Sequence, residues 1–160
     1  MPQSSNWPEI YKFEDYFEPA AVNILAADSI TAYVQRNATD IATPSVGVQL
    51  TVGENVEHYG LRVSDGQNFC DRWNAKLAFA ITTQRGKNNS SHSDLRAKIR
   101  YRMQDLTVWN TTRLPYHQVV RIIESGTSPQ IVDDKDRDIS EVTFSLVINI
   151  RADAWPAAAF

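Results

Sequence analysis

Glycine and cysteine are scarce in this sequence, and long apolar runs are missing. Six glycines are too few for repeated phosphate-cradling loops, and no Walker, dinucleotide-binding or nucleophile-elbow pattern occurs. A single cysteine, Cys70, excludes an intramolecular disulfide and favours assembly in a reducing cytoplasm. No apolar segment approaches the roughly 20 residues that cross a bilayer, and residues 1–12 do not read as a signal peptide. We therefore expect no membrane partner and no cofactor.

Charge is distributed unevenly along the chain. Residues 1–84 carry a net charge of −5, residues 85–121 of +6 and residues 122–160 of −4, within a total of −3. A basic middle between acidic flanks suits copies that meet one another through unlike surfaces. It suits a free-standing nucleic-acid binder less well, because such a domain is usually basic overall.

Alternating apolar residues predict the strands of a sheet. Residues 140–151 give the most regular pattern, with five large apolar side chains on one side and mostly polar ones on the other. Residues 46–52 and 73–83 alternate in the same way, and residues 117–124 are rich in β-branched side chains. A short strand is predicted at residues 30–34. A strand as long and apolar as 140–151 is expected inside a sheet rather than at its edge.

Two helices are predicted. Asp15 and Glu18 have capping-box spacing, which would place Pro19 in the first turn of a helix that runs to about residue 27. A second helix follows a cap at Ser91 or Ser93. Its apolar stripe consists of Leu95, Ile99, Met103 and Leu106.

This order of elements predicts an α+β fold. We expect a single domain, 1–160, built as a two-layer sandwich: a mainly antiparallel sheet of four to five strands with both helices on one face. Residues 1–12 form an N-terminal arm, 13–151 the core and 152–160 a C-terminal apolar tail. The predicted core consists of Leu25, Val48, Leu50, Leu77, Phe79, Ile99, Met103, Phe144, Leu146 and Ile148.

The other face of the predicted sheet carries small and nearly uncharged side chains, with Lys76 as the main exception. Its members are Gly47, Gln49, Thr51, Ala78, Ala80, Thr82, Thr143, Ser145, Val147 and Asn149. A solvated face commonly carries more Lys and Glu, so this composition indicates contact with another surface. Strand propensity alone, which selects Thr and Val, explains it equally well.

Candidate metal and catalytic residues are few. Asp134, Asp136 and Asp138 match the first three ligand positions of a calcium-binding EF-hand loop. The match then fails, because Ile139 stands at the glycine position and Ser145 at the glutamate position. We expect a solvated acidic loop and no metal site.

The three histidines, His58, His92 and His117, are far apart in sequence and lack neighbouring ligands at metal-binding spacing. Nothing near Cys70 lowers its pKa, which favours a buried, inert thiol. We therefore predict no catalytic residue and no enzymatic activity. The alternative is an enzyme whose site is assembled from loop residues without a recognisable pattern.

The basic segment 85–102 allows three interpretations. Its cations are Arg85, Lys87, Arg96, Lys98, Arg100 and Arg102. They spread around the predicted helix as a solvated face would, and aromatic residues at single-strand-binding spacing are missing. An acidic protein partner, direct contact with DNA and plain solvation all stay open.

The closing part of the chain has the most specific pattern. Ser125-Gly126 and an acidic loop precede ISEVTF at 139–144 and IRADAWP at 150–156. With the leading helix, the strand opening TPSV at 43–46, the strand at Trp73 and the helix near 93–106, this order resembles the tail-terminator and neck proteins of long-tailed bacteriophages, the lambda-like family. The likeness covers roughly residues 13–156, and the aromatic arm and Ala-rich tail depart from it.

The resemblance implies a structural virion protein with no active site. Family members form a homohexameric ring on the head-proximal end of the tail tube, end its polymerisation and offer a docking face to the head connector. The implied partners are further copies of the chain, the tail tube protein and the head–tail connector or adaptor protein, with genomic DNA passing through the lumen. The implied location is the tail and neck of the virion, after assembly in the host cytoplasm. The alternative is a head-completion or adaptor protein that contacts DNA through the basic helix.

A ring of this kind needs two unlike, complementary surfaces on each copy. We expect the basic segment to face acidic residues of a neighbour, and the apolar tail to pack across a subunit boundary. The predicted interface residues are Arg85, Lys87, Arg96, Lys98, Arg100, Arg102, Asp133, Asp134, Asp136, Asp138, Trp155 and Phe160.

Overall fold

The structure, a computed structural model, describes residues 8–37, 43–60, 68–85, 89–110 and 114–154. Within these ranges a six-stranded sheet packs beneath helices that lie on one face, which confirms the predicted two-layer α+β fold. Lys87, Trp155 and Phe160, together with most of the predicted arm and tail, lie outside the described residues.

The described chain contains three α-helices and six strands, more than the two helices and four to five strands predicted, together with three short 3-10 helices. The helices are α1 (Phe13–Ala26), α2 (Asn89–Met103) and α3 (Leu106–Trp109). The strands are β1 (Ala32–Val34), β2 (Ser45–His58), β3 (Phe69–Gln84), β4 (His117–Thr127), β5 (Ile131–Val132) and β6 (Arg137–Arg151). Their order in the sheet is β1-β2-β3-β6-β4, with β5 paired to β6 beyond the end of β4. The β1–β2 pair is parallel and the other described pairs are antiparallel.

Strand β6 lies inside the sheet, as its apolar pattern predicts. It pairs with β3 on one side and with β4 and β5 on the other. Its core-facing side chains meet those of β3 directly: Leu77 lies opposite Phe144, and the rings of Phe79 and Phe144 are 5.7 Å apart in an edge-to-face contact. All ten predicted core residues are buried in one cluster, which confirms the predicted register.

The predicted start of α1 is wrong. The helix begins at Phe13, so Asp15 lies within its first turn and Pro19 lies inside the helix. Glu18 does not cap the helix, because its buried carboxylate accepts a hydrogen bond from the Leu50 amide at 2.8 Å and pairs with Arg36. Glu18, which the local sequence pattern assigns to a helix cap, therefore makes a tertiary contact with β2 instead.

The predicted bounds of the second helix are also wrong. Because α2 begins at Asn89, both Ser91 and Ser93 lie within it rather than at its cap. Leu106 belongs to α3 and is exposed instead of completing the apolar stripe. The chain turns after α2, and the buried Trp109 takes the core position, donating from Nε1 to the Met103 carbonyl at 2.9 Å.

The hairpin between β2 and β3 has longer strands than the sequence pattern predicts. The pairing passes Gly53 and continues to His58, so the connection shrinks to residues 59–68. Register shifts between Val52 and Asn55, and between Asn55 and Glu57, mark bulges. Bulges break the two-residue alternation, and for that reason the pattern is lost after Val52.

The central aromatic pair provides a test of the core. Replacing Phe79 or Phe144 by Ala should lower the free energy of unfolding by about 3–5 kcal/mol, because each change leaves a cavity in a fully buried layer. The matched control is Tyr101→Ala, since this ring is 76% exposed and its removal should change stability by less than about 0.5 kcal/mol. Urea denaturation followed by circular dichroism measures both, and equal effects at the two kinds of position would contradict this core.

Candidate functional site

The face of the sheet opposite the helices is uncovered among the described residues. Lys76 lies between Thr51 and Ser145 on this face, and all three belong to paired strands. The described side chains nearby are small, and most are exposed or half-buried. Arg72 makes polar contacts with both neighbouring strands: its Nε donates to the Asn149 side-chain oxygen at 2.9 Å, and its guanidinium donates to the Glu57 carboxylate at 3.2 Å. The middle of the face has the small side chains that the sequence predicts, but Lys76 is not its main charged exception, because Arg72, Glu54, Arg121 and Glu124 also lie on or beside it.

This uncovered face is concave. A cleft of about 630 Å³ receives residues from both outer strands, Gly53 and Glu54 from β2 and Arg121 and Ile123 from β4. The middle strands contribute mainly short side chains to its floor. Neither histidine nor cysteine is among the described lining residues. Four charged residues are among them, Glu54, Lys76, Arg121 and Glu124, so the cleft combines a floor of mainly short side chains with a charged margin.

The outer margin of β4 has no strand partner among the described residues. Asn110 occupies it at one point only, where its side-chain amide donates to the Val119 carbonyl and its oxygen accepts from the Val119 amide, both at 2.8 Å. Beyond this point Val120 is 37% and Ile123 is 43% exposed. This margin, residues 120–127, is called the β4 edge below.

The opposite margin of the sheet is open over part of its length. β1 covers Val46–Val48 of β2, and the Glu18 carboxylate takes the Leu50 amide. In the part of the chain that the structure describes, residues 52–57 have no strand on this side, and Val56 is 48% exposed. Residues 52–57 are called the β2 edge below. The sheet thus has two open edges on opposite sides.

The arginines of the basic segment find acidic partners within their own chain. Arg102 forms a two-pronged pair with Asp28, at 2.5 and 2.7 Å, which lowers the pKa of that carboxyl. Arg100 binds Glu124 of β4 at 2.7 Å. Both pairs fasten α2 to the rest of the domain. A role of these arginines at a subunit boundary stays a prediction, and reversing their charge would also disturb contacts inside the chain.

Arg96 belongs to a buried polar network around His92. Thr83 Oγ1 lies 2.7 Å from His92 Nδ1, Ser140 Oγ lies 2.7 Å from His92 Nε2, and Arg96 lies 3.3 Å from Ser140 Oγ. Burial, followed by the Arg96 charge, lowers the pKa of His92, so the imidazole stays neutral. The distances resemble a nucleophile–base pair, yet Ser140 and His92 are both buried. Their contacts join α2 to β3 and β6.

A second buried network surrounds Asp71, which also escapes prediction from sequence. Its carboxylate accepts from the Tyr11 hydroxyl at 3.1 Å and from Trp73 Nε1 at 3.4 Å, and it contacts His58 Nδ1. Cys70 is buried beside it, and burial raises the pKa of the thiol to about 12. This agrees with the predicted inert thiol. The network joins the end of the arm to the β2–β3 hairpin.

The acidic loop is a tight hairpin turn. Asp133 Oδ1 accepts from the amides of Lys135 and Arg137 at 3.0 and 2.8 Å, and its other oxygen accepts from Arg137 Nε at 2.7 Å. The Arg137 guanidinium lowers the pKa of Asp133. Asp136, which pairs with Arg85 at 3.2 Å, has a φ of 59°.

The structure also places the other members of the predicted loop. Asp138 is buried within β6, so its assignment to a solvated loop is wrong. Within the described ranges no group of three or more His, Cys, Asp or Glu side chains is arranged to hold a metal ion.

His117 lies at the junction of β4 and the arm. Its buried Nε2 donates to the Ile10 carbonyl at 2.8 Å, and the rings of Phe13 and Phe17 lie 5.1 and 5.5 Å from the imidazole. Burial lowers its pKa to about 4. The histidine therefore holds the start of α1 against the sheet in its neutral form.

Comparison with known proteins does not assign a family: no family model matches the sequence, and neither does any curated protein. None of the helices within the described ranges combines the length and apolarity needed to cross a membrane. The functional interpretation therefore depends on the geometry of the sheet and on the resemblance in its order of elements.

Substitutions in the hairpin turn separate a structural role from a metal site. Asp133→Ala should lower the melting temperature, because two amides and the Arg137 side chain lose their acceptor. The matched double variant, Asp134→Asn with Asp136→Asn, should melt like the wild type. Neither protein's melting should respond to Ca²⁺. A Ca²⁺-dependent rise in the wild type that the double variant lacks would establish a metal site.

The buried histidine predicts a pH dependence of stability. The unfolded chain protonates His117 near pH 6.5, whereas the folded chain resists protonation down to about pH 4. Between these two pH values the unfolded chain binds one more proton than the folded chain. The free energy of unfolding is therefore highest above pH 6.5 and falls by roughly 3 kcal/mol as the pH decreases to about 4.

Urea denaturation at several pH values, for the wild type and for His117→Gln, measures this loss. Glutamine can still donate to the Ile10 carbonyl but does not titrate, so the difference between the two curves isolates His117 from other groups. The difference should decrease steadily below pH 6.5. Parallel curves would show that the histidine is protonated equally well in both states.

Proposed function

We propose that this chain is a structural protein of a tailed bacteriophage virion. Copies of it form a ring on the head-proximal end of the tail tube, end tube polymerisation and join the tail to the head connector. The observation that carries the proposal is the concave sheet face, with mainly short side chains on its floor, which lies between two open edges. The order of elements, which resembles that of tail terminators, supports the same function.

The exposed aliphatic side chains favour assembly. Val120 and Ile123 belong to the β4 edge, Ile131 and Val132 continue along the same margin in β5, and Val56 belongs to the β2 edge. Open strand edges with exposed apolar side chains favour association with another strand. Their position on opposite sides of one sheet matches a heterologous contact, which closes into a ring when the rotation between copies divides a full turn.

An adaptor that binds DNA through the basic helix has less support. Arg100 and Arg102 pair with carboxylates of their own chain, and Arg96 donates to the buried Ser140, so these three guanidinium groups already have partners within the domain. Lys98 is exposed beside Tyr101. DNA retention at low salt by the wild type, abolished by Lys98→Glu with Tyr101→Ala, would favour the adaptor.

An assembly extract that lacks this protein tests the proposed function. Added protein should convert overlong or headless tubes into tails of uniform length that join heads. When the finished tails are then disrupted, the protein released from their ends should sediment as an oligomer with several times the 18.1 kDa mass of one chain. Uniform, head-competent tails in the extract without the protein would overturn the proposal. So would a protein that stays monomeric both alone and with tubes.

A further inference from the structure

We infer that copies of this chain join edge to edge: the β4 edge of one copy pairs with the β2 edge of the next. The sheets of successive copies would then form one closed barrel, with the helices outside. The inference rests on the proposed ring and names the surface through which its subunits meet. Pairing would satisfy backbone groups that no strand satisfies in the described part of a single chain.

The strand directions suit this pairing. β3 is antiparallel to β2 and to β6, and β4 is antiparallel to β6. β2 and β4 therefore run in opposite directions. Copies related by rotation about an axis roughly along the strands bring these two edges together as an antiparallel pair, which continues the alternation of the sheet.

The obstacles on each margin determine the offset between copies. Along one row of the sheet, Val52 is connected through β3 and β6 to Ile122. Because Asn110 blocks β4 at Val119 and β1 blocks Val46–Val48, the open edges meet along their whole length only when neighbouring copies shift by about three residues along the strands.

A shift of this size is compatible with a closed barrel. The four long strands of each copy would then accumulate a little under one residue of stagger per strand, close to the ratio of about one in an eight-stranded barrel whose strands tilt by about 36°. The bulges in both edge strands increase local twist, and a closed sheet needs such curvature. The concave cleft lies on the uncovered face, which would become the inner surface.

The side chains of the two edges are complementary. Two edge carboxylates, Glu57 of β2 and Glu124 of β4, pair with Arg72 and Arg100 of their own chain. The other two edge charges are opposite in sign: Glu54 on the β2 edge and Arg121 on the β4 edge. Neither edge contains Lys or Pro, the residues that commonly protect strand edges from pairing. The exposed side chains of Val56, Val120 and Ile123 would be covered when the edges meet.

Cysteine cross-linking in the assembly extract tests the pairing. Val56→Cys with Ile123→Cys in one chain, treated with a short bismaleimide, should give a ladder of covalent multiples up to the ring. The buried native thiol of Cys70 is left in place. Either single variant alone should give no cross-link, because like edges do not meet. An equimolar mixture of the two single variants should stop at a dimer.

A control and the possible outcomes separate this inference from the proposed function. Tyr101→Cys with Ile123→Cys places one thiol on the exposed surface of α2 instead of on the β2 edge, and should give no ladder. If the double edge variant completes tails yet gives no ladder, the edge pairing is wrong and the ring proposal stands. A dimer from one single variant alone also overturns it, since that shows a symmetric contact. If the wild type neither forms a ring nor ends tail growth, the edge pairing and the proposed function are both wrong.

Discussion

The antiparallel pairing of β3 with β6 is the interaction on which the rest of the structure depends. It runs between Phe69 and Gln84 on one strand and Arg137 and Arg151 on the other, with one register shift near its end. The Phe79–Phe144 contact lies within this pairing, and buried side chains of α1 and α2 belong to the same apolar cluster. β2 joins the sheet through β3, and β4 joins through β6. Separating β3 from β6 would therefore divide the sheet in two and split the apolar layer on which the helices pack.

The alternation of apolar residues made this central pairing predictable. One side of β3 and β6 is apolar and the other small or polar, so a one-residue slip would expose the entire core. That constraint explains why all ten predicted core residues are buried together. The same reasoning fails where the chain departs from regular alternation. The bulges after Val52 lengthen β2 beyond its pattern, and the turn after Met103 exposes Leu106.

Buried polar groups could not be predicted, because their partners lie far away in sequence. His92 and Ser140 are separated by 48 residues, and His117 bonds to a carbonyl 107 residues away. Glu18 has a plausible local role as a cap, and a tertiary contact with β2 displaces it. These groups have a common function: each connects a helix or the arm to the sheet. An apolar surface alone tolerates sliding between layers, whereas a buried hydrogen bond fixes one position.

At the candidate interface, backbone groups and charged side chains have different roles. Sequence reasoning placed the interface on the basic segment, but Arg100 and Arg102 are paired within the chain and hold α2 in place. What the described chain leaves unpaired is backbone at two strand edges, with exposed aliphatic side chains beside it. Backbone pairing provides strength without regard to sequence, so it cannot by itself distinguish the correct neighbour from a wrong one. The opposite charges of Arg121 on the β4 edge and Glu54 on the β2 edge would then determine which edge meets which.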